Sequence, residues 1–195
     1  MVWTEKVVPV ATLRNQEETD DVLSCLQESG LKVVEITFRT EYASTAISYA
    51  IKNYPEILVG AGTIISKKQC KNALKAGAKF IVGPGFSKEV AKVCKRAKIL
   101  YIPGVVTPSE VQQAVNCGLN VLKFFPFSTF GEIATVKAFA GPFPNVKFML
   151  TNGITGENFA ELLNNSNVVA VGGSWMLKGT REEKLEKMKK VVEKI

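Results

Sequence analysis

The sequence predicts one parallel eight-stranded (β/α)8 barrel, a TIM barrel, over residues 1–195. Three observations carry that expectation. Eight short runs rich in β-branched residues recur at the spacing of a βα unit. Helix-like stretches separate them, several closed by a glycine. No linker, low-complexity tract or charge block divides the chain, so a single domain is expected. Strands alternating with single helices imply parallel pairing through crossovers, and eight such units close a barrel at the small end of its size range. An open doubly wound sheet is the alternative. It would show a Gly-rich dinucleotide loop after the first strand, where Leu13-Arg14-Asn15-Gln16 stands instead.

In chain order, the strand Val7–Thr12 leads to a helix over Glu17–Ser29, and Lys32–Phe38 leads to Ala43–Asn53. Ile57–Ala61 leads to Lys67–Ala76, Lys79–Gly83 to Lys88–Ala97, and Lys98–Ile102 to Ser109–Cys117. The remaining strands are Asn120–Phe125, Val146–Leu150 and Val168–Gly172. Gly30, Gly77 and Gly118 stand where left-handed helix C-caps are expected. The C-terminal run Arg181–Lys194 places Leu185, Met188, Val192 and Ile195 on one face, which makes it an amphipathic helix with its charges in water.

Composition narrows the chemistry. The chain has no histidine, which excludes a Ser-His-Asp triad, a Cys-His pair, His-ligated zinc and a histidine acid or base. Any catalysis rests on Lys, Arg, Glu, Asp, Ser, Thr, Tyr or Cys. Cys25, Cys70, Cys94 and Cys117 form no CxxC pair and sit in apolar helical stretches. They read as buried thiols of a reducing compartment, with no metal site among them. The formal charge of +7 falls mostly on helix faces. A basic stripe interleaved with exposed aromatics is not seen, so nucleic acid is not an expected partner. No apolar run approaches the ~18 residues of a membrane span, and the opening residues show no secretory pattern, so a cytoplasmic protein is expected.

Strands of a parallel barrel are buried on both faces, which makes a mid-strand charge costly unless it is paired or functional. Two segments carry such charges. In Val33-Val34-Glu35-Ile36-Thr37-Phe38-Arg39, alternation puts Glu35, Thr37 and Arg39 on one face. The apolar set suits the helix layer, so Glu35 and Thr37 should look into the barrel and Arg39 should reach its C-terminal mouth, where barrel active sites lie. In Val121-Leu122-Lys123-Phe124-Phe125-Pro126, Lys123 has apolar neighbours on either side. Burial disfavours an ammonium ion, which is how a lysine becomes a nucleophile near neutral pH. Lys32, Lys79, Lys98 and Lys147 lie near strand starts, at the solvated bottom. The alternative for Glu35 and Lys123 is a buried ion pair that fills the interior without adding net stability.

Glycine-rich turns follow five of the strands: Gly60-Ala61-Gly62-Thr63, Gly83-Pro84-Gly85, Pro103-Gly104-Val105, Thr151-Asn152-Gly153-Ile154 and Gly172-Gly173-Ser174. The last two, with Ser174 opening a short helix, stand where barrel enzymes often hold a phosphate.

These residues resemble the bacterial 2-keto-3-deoxy-6-phosphogluconate (KDPG) / 4-hydroxy-2-oxoglutarate (KHG) aldolases over nearly the whole chain. The matching segments are Val-Val-Glu-Ile-Thr-Phe-Arg-Thr around Glu35, Val-Gly-Ala-Gly-Thr at 59–63, Ile-Pro-Gly-Val at 102–105, Leu-Lys-Phe-Phe-Pro at 122–126, Gly-Pro-Phe-Pro-Asn-Val at 141–146 and Val-Gly-Gly-Ser-Trp at 171–175. The resemblance implies a class I aldolase without metal or cofactor. Lys123 would form a Schiff base with the pyruvate portion, and Glu35 would shuttle protons. Arg39, Thr63 and Pro84 would bind the pyruvate and its carboxylate, with Phe125 beside them and Arg14 a further basic residue at the mouth. Thr151, Gly153, Gly173 and Ser174 would surround the distal hydroxyls and phosphate. The resemblance also implies a homotrimer.

The bottom-up chemistry agrees, since retro-aldol cleavage needs an electron sink beside the breaking bond, and a protonated imine supplies one without metal. The expected reaction splits KDPG into pyruvate and glyceraldehyde 3-phosphate, with KHG, giving pyruvate and glyoxylate, as a further substrate. A galactonate-epimer aldolase, another Schiff-base barrel enzyme and a non-catalytic sugar-phosphate-binding relative are the alternatives. Four departures from the family pattern bear on substrate choice. Asn152 stands where the family has glycine, and its side chain would crowd the phosphate or alter its hydrogen bonding. Gly83 replaces a serine, Phe127-Ser128-Thr129-Phe130 is an uncommon version of its loop, and the N-terminal helix is cut to about one turn before Val7.

Overall fold

The computed structural model describes residues 3–195. Its elements follow the expected alternation. They are β1 (Val7–Ala11), α1 (Gln16–Ser29), β2 (Val33–Thr37), α2 (Ala43–Asn53), β3 (Leu58–Gly62), α3 (Lys67–Lys75), β4 (Phe80–Val82) and α4 (Lys88–Ala97). Then come β5 (Leu100–Ile102), β6 (Gly104–Val105), α5 (Pro108–Asn116), β7 (Val121–Phe124), α6 (Glu132–Ala138), β8 (Lys147–Thr151), α7 (Phe159–Leu163), β9 (Val168–Gly173) and α8 (Arg181–Val192).

All pairings are parallel, in the order β5-β4-β3-β2-β1-β9-β8-β7-β6. The fifth run is the one that differs from expectation. It breaks at Pro103, which has no N–H to give a ladder. β5 pairs with β4 and β6 with β7, so one segment changes partner at the proline and joins the two edges. The Lys123 N–H donates to the Pro103 carbonyl at 2.8 Å across this seam. The result is a TIM-like barrel in which nine strands stand for eight runs.

Local signals explain the helix limits. Asn15, Ser66, Ser87, Thr107 and Thr180 cap α1, α3, α4, α5 and α8 with their side chains. Gly30, Gly77 and Gly118 all take positive φ after their helices. Lys98 does the same after α4, at φ 56°, without a glycine to ease it. Two expectations need correction. Trp3–Lys6 forms no helical turn before β1. In α8 the buried residues are Met188 and Val191, whereas Val192 and Ile195 are exposed. The helix stops at Val192, and its 3.6-residue period carries the apolar stripe to Val191.

Two apolar layers result. The larger lies between helices and strands, and includes the buried Cys25, Cys70 and Cys94. The smaller fills the lower barrel with Val8, Val33, Phe80, Val82, Ile102 and Met149, closed below by Trp3. Trp3 meets Phe80 edge to face at 5.0 Å, and its indole N–H donates to the Glu5 carbonyl at 2.7 Å. All four cysteines are free thiols, and Cys70 and Cys94 touch at 3.6 Å. No helix among the described residues is long and apolar enough to cross a membrane.

Candidate active site

Above the apolar plug, the barrel interior turns polar. Glu35 on β2 and Lys123 on β7 both point inward, 1% and 8% exposed. Glu35 Oε1 lies 3.9 Å from Lys123 Nζ, so the two attract as charges without sharing a hydrogen bond. Glu35 Oε2 and the Thr151 hydroxyl are buried and have no partner among the described residues. Orphaned polar atoms of this kind are costly and call for a role. Lys123 Nζ also stands 5.0 Å from the centre of the Phe125 ring, within reach of a cation–π attraction.

Glycine makes this arrangement possible. A Cβ on Gly62, at the end of β3, would stand 1.9 Å from Glu35 Oε1, so the carboxylate occupies the space a side chain there would take. One layer higher, Thr37 and Thr12 share a hydroxyl hydrogen bond of 2.8 Å.

A cavity of about 830 Å³ opens from Lys123 to the C-terminal mouth. Of the residues expected at the site, Arg14, Arg39, Lys123, Phe125, Thr151, Gly153, Gly173 and Ser174 line it. Glu35 lies behind Lys123, reached through the ion pair. Thr63 and Pro84 follow β3 and β4 on the mouth side but do not line this cavity. Thr63 has positive φ, 57°, and the Pro84 carbonyl would be 2.0 Å from a Cβ on Gly104, so that turn is pressed against the seam strand. Beside it, a Cβ on Gly83 would meet the Gly85 carbonyl at 2.9 Å and the Tyr101 hydroxyl at 3.0 Å. That hydroxyl donates to Gly85 O and accepts from Ser87 N, so Tyr101 braces the turn where Gly83 has no side chain to offer. Burial pushes the Tyr101 phenol up, which keeps it a donor.

Sequence reasoning missed four charged residues on the cavity wall, Glu18, Asp21, Lys178 and Lys184. Lys184 of α8 pairs with Asp21 of α1, and Arg14 of the β1–α1 loop pairs with Glu18 in the first turn of α1, so both pairs tie α1 into the rim. Among the described residues Arg39 and Lys178 pair with no carboxylate. The mouth therefore keeps a positive balance suited to an anion. Glu18 and Asp21 on α1 and Lys184 on α8 looked like ordinary solvated helix charge, and Lys178, in the connection before α8, carried no signal of its own. No cluster of metal-ligating side chains occurs among the described residues.

A TIM-like barrel with a buried lysine and carboxylate below an electropositive mouth defines the class of a lysine-dependent barrel enzyme. Comparison with known proteins makes the class specific. Residues 1–191 match the family model for KDPG and KHG aldolase. The KHG/KDPG aldolase of Escherichia coli is 37% identical over 177 residues, 91% of this chain and 83% of that protein. A solved KDPG aldolase of Legionella pneumophila, with pyruvate captured as a covalent carbinolamine intermediate, is 35% identical with a TM-score of 0.87, covering 97% of this chain and 92% of that one. The KDPG aldolase of Zymomonas mobilis with 3-phosphoglycerate gives 31% and 0.92, covering 98% and 93%. The chain belongs to the KDPG and KHG aldolase family of lyases.

Proposed function

We propose that the protein cleaves KDPG to pyruvate and glyceraldehyde 3-phosphate through a Schiff base on Lys123, and that it also accepts KHG. The observation that carries this reading is Lys123 itself, inward on β7, 3.9 Å from a buried carboxylate and open to the cavity.

Lys123 passes a proton to Glu35, and the freed amine adds to the substrate's C2 carbonyl, giving a carbinolamine that loses water to an imine. The protonated imine then draws the electrons of the C3–C4 bond as the C4 hydroxyl gives up its proton. The aldehyde leaves, and an enamine of pyruvate remains. Protonation of its C3 and hydrolysis of the imine release pyruvate and restore the lysine. Glu35 is the group within reach to move these protons, and its unpartnered Oε2 leaves it a free acceptor.

Arg39 at the mouth suits the carboxylate of the pyruvate half. Phe125 flanks the imine, with Thr63 and Pro84 contributing from the adjoining turns and Arg14 from the rim. Thr151, with its orphan hydroxyl, suits a substrate hydroxyl. Gly153, Gly173 and Ser174 suit the distal phosphate, where uncluttered backbone allows close approach. The gluconate epimer is preferred over the galactonate one because the relatives above 30% identity carry the gluconate name. The family resemblance further supports a cytoplasmic homotrimer, which light scattering would test.

Borohydride added with pyruvate should leave a mass adduct on Lys123, and Lys123→Ala should leave none. A wild-type protein that fails to trap pyruvate would sink the proposal.

A further inference from the structure

The loop after β8 departs from a plain glycine turn in a way that shapes the far end of the cavity. Asn152 and Gly153 both hold left-handed backbone, φ 78° and 81°. Asparagine tolerates that region better than other non-glycine residues. Ser128, in the 3-10 turn Phe127–Thr129 after the Lys123 strand, donates from its hydroxyl to Asn152 Oδ1 at 2.7 Å. Its Cβ also sits 2.5 Å from where a Cβ on Gly153 would be. From the other side, Asn158 Nδ2 donates to the Gly153 carbonyl at 2.9 Å.

Asn152 and Gly153 line the cavity and Ser128 does not, so Ser128 stands behind them. With Oδ1 engaged, the Asn152 amide NH2 remains as a donor, and no partner within the described residues uses it. The same stretch of wall carries Gly173, Ser174 and Lys178, while Glu18 and Asp21 on the rim are engaged by Arg14 and Lys184. The surroundings favour an anion over a neutral hydroxyl.

We infer that Asn152 is a specificity-determining residue whose amide NH2 donates to the terminal anionic group of the substrate's aldehyde half, and that Ser128 is the positioning residue that aims it. The inference rests on the aldolase reading above and goes beyond it. It gives this chain a side-chain donor to that group which a glycine at 152 would lack, and so a sharper preference for the phosphorylated substrate than the backbone of the loop alone provides. The side chain adds a donor where it could have been an obstruction.

The test compares kcat/KM for KDPG and for its unphosphorylated counterpart in wild type, Asn152→Gly, Asn152→Asp and Ser128→Ala. Glycine suits φ 78°, so Asn152→Gly removes the donor without backbone strain. The phosphorylated-to-unphosphorylated ratio should drop about tenfold in Asn152→Gly, as expected for loss of a hydrogen bond to a charged group. It should fall further in Asn152→Asp, which keeps an acceptor for Ser128 but puts a negative charge against the anion. Ser128→Ala should lower the ratio in the same direction by a smaller factor, mainly through KM. A ratio that rises in Asn152→Gly would show the side chain to be an obstruction and overturn the inference. So would equal losses on both substrates, or no change. Pyruvate trapping at Lys123 separates the two readings. Absence of trapping in wild type overturns the aldolase reading and this inference with it, whereas trapping with an unaltered ratio overturns this inference alone.

Discussion

Glu35 owes its position to a neighbour without a side chain. With Gly62 replaced by alanine, the new Cβ would fall 1.9 Å from Oε1 and 2.5 Å from the carboxylate carbon, so the whole carboxylate would have to swing away. A displacement of about 1 Å in a catalytic group can cost about a hundredfold in rate. Gly62→Ala should therefore lower kcat by about that factor, while pyruvate still traps on Lys123 at a reduced rate. Steady-state kinetics beside borohydride trapping would check it, and an unchanged kcat would remove Gly62 from the argument. At this scale Glu35, Arg39 and Lys123 were legible because a charge inside or at the end of a buried strand violates its surroundings. Gly62 was visible only as one of several glycine turns, since the spacing of a sequence does not reveal what fills the space beside a glycine. The Ser128–Asn152 contact was hidden for a related reason, because it joins loops from two strands 24 residues apart.

Among the elements, α5 shows how a helix start ties stability to pH. Glu110 accepts from the Val106 and Thr107 backbone N–H groups at 2.8 and 2.9 Å and from the Thr107 hydroxyl, while Thr107 accepts from Glu110 N, forming a capping box. Burial pushes the Glu110 carboxyl up, but those hydrogen bonds outweigh it and hold it below its ordinary value of 4.5. A lowered folded-state value means that the stabilisation is present above the unfolded value and lost as pH falls through the folded one. Glu110→Ala should cost about 1 kcal/mol at pH 7. The gap to wild type should narrow below pH 4.5, in urea melts across that range. A gap independent of pH would assign the cost to packing alone. Helix starts and glycine stops were legible in the sequence. The break at Pro103 was only half so: the proline was seen as part of a loop, but an exchange of strand partners belongs to the closed sheet and to no local pattern.

The molecule divides along its axis into a dry lower half and a polar upper half. Trp3, 7% exposed, closes the lower half against Phe80, where the sequence suggested one helical turn. Removing its ring should cost about 3 kcal/mol. Trp3→Ala should thus melt earlier in a thermal scan and still trap pyruvate at the opposite end. Loss of trapping in a folded Trp3→Ala protein would show that the two halves are coupled. Barrel closure, parallel order and the inward lysine all followed from strand–helix alternation and burial. The rim pair Lys184–Asp21 did not, because α8 meets α1 only when the ring closes, whereas Arg14–Glu18 is a local pair four residues apart whose place on the cavity wall no spacing reveals.

The seam at Pro103 has a consequence in time as well as in space. The main-chain N–H of Lys123 is held by the carbonyl of a residue that cannot return a hydrogen bond, and Phe125 N reaches Val105 O only at 3.4 Å. The strand that carries Lys123 therefore shares its opening events with residues 100–105. Deuterium should enter the amides of the two segments at matching rates, faster than in β2 and β3, which pair along five consecutive positions. Substrate bound as an imine would slow both together, making the seam a clock for the occupied site.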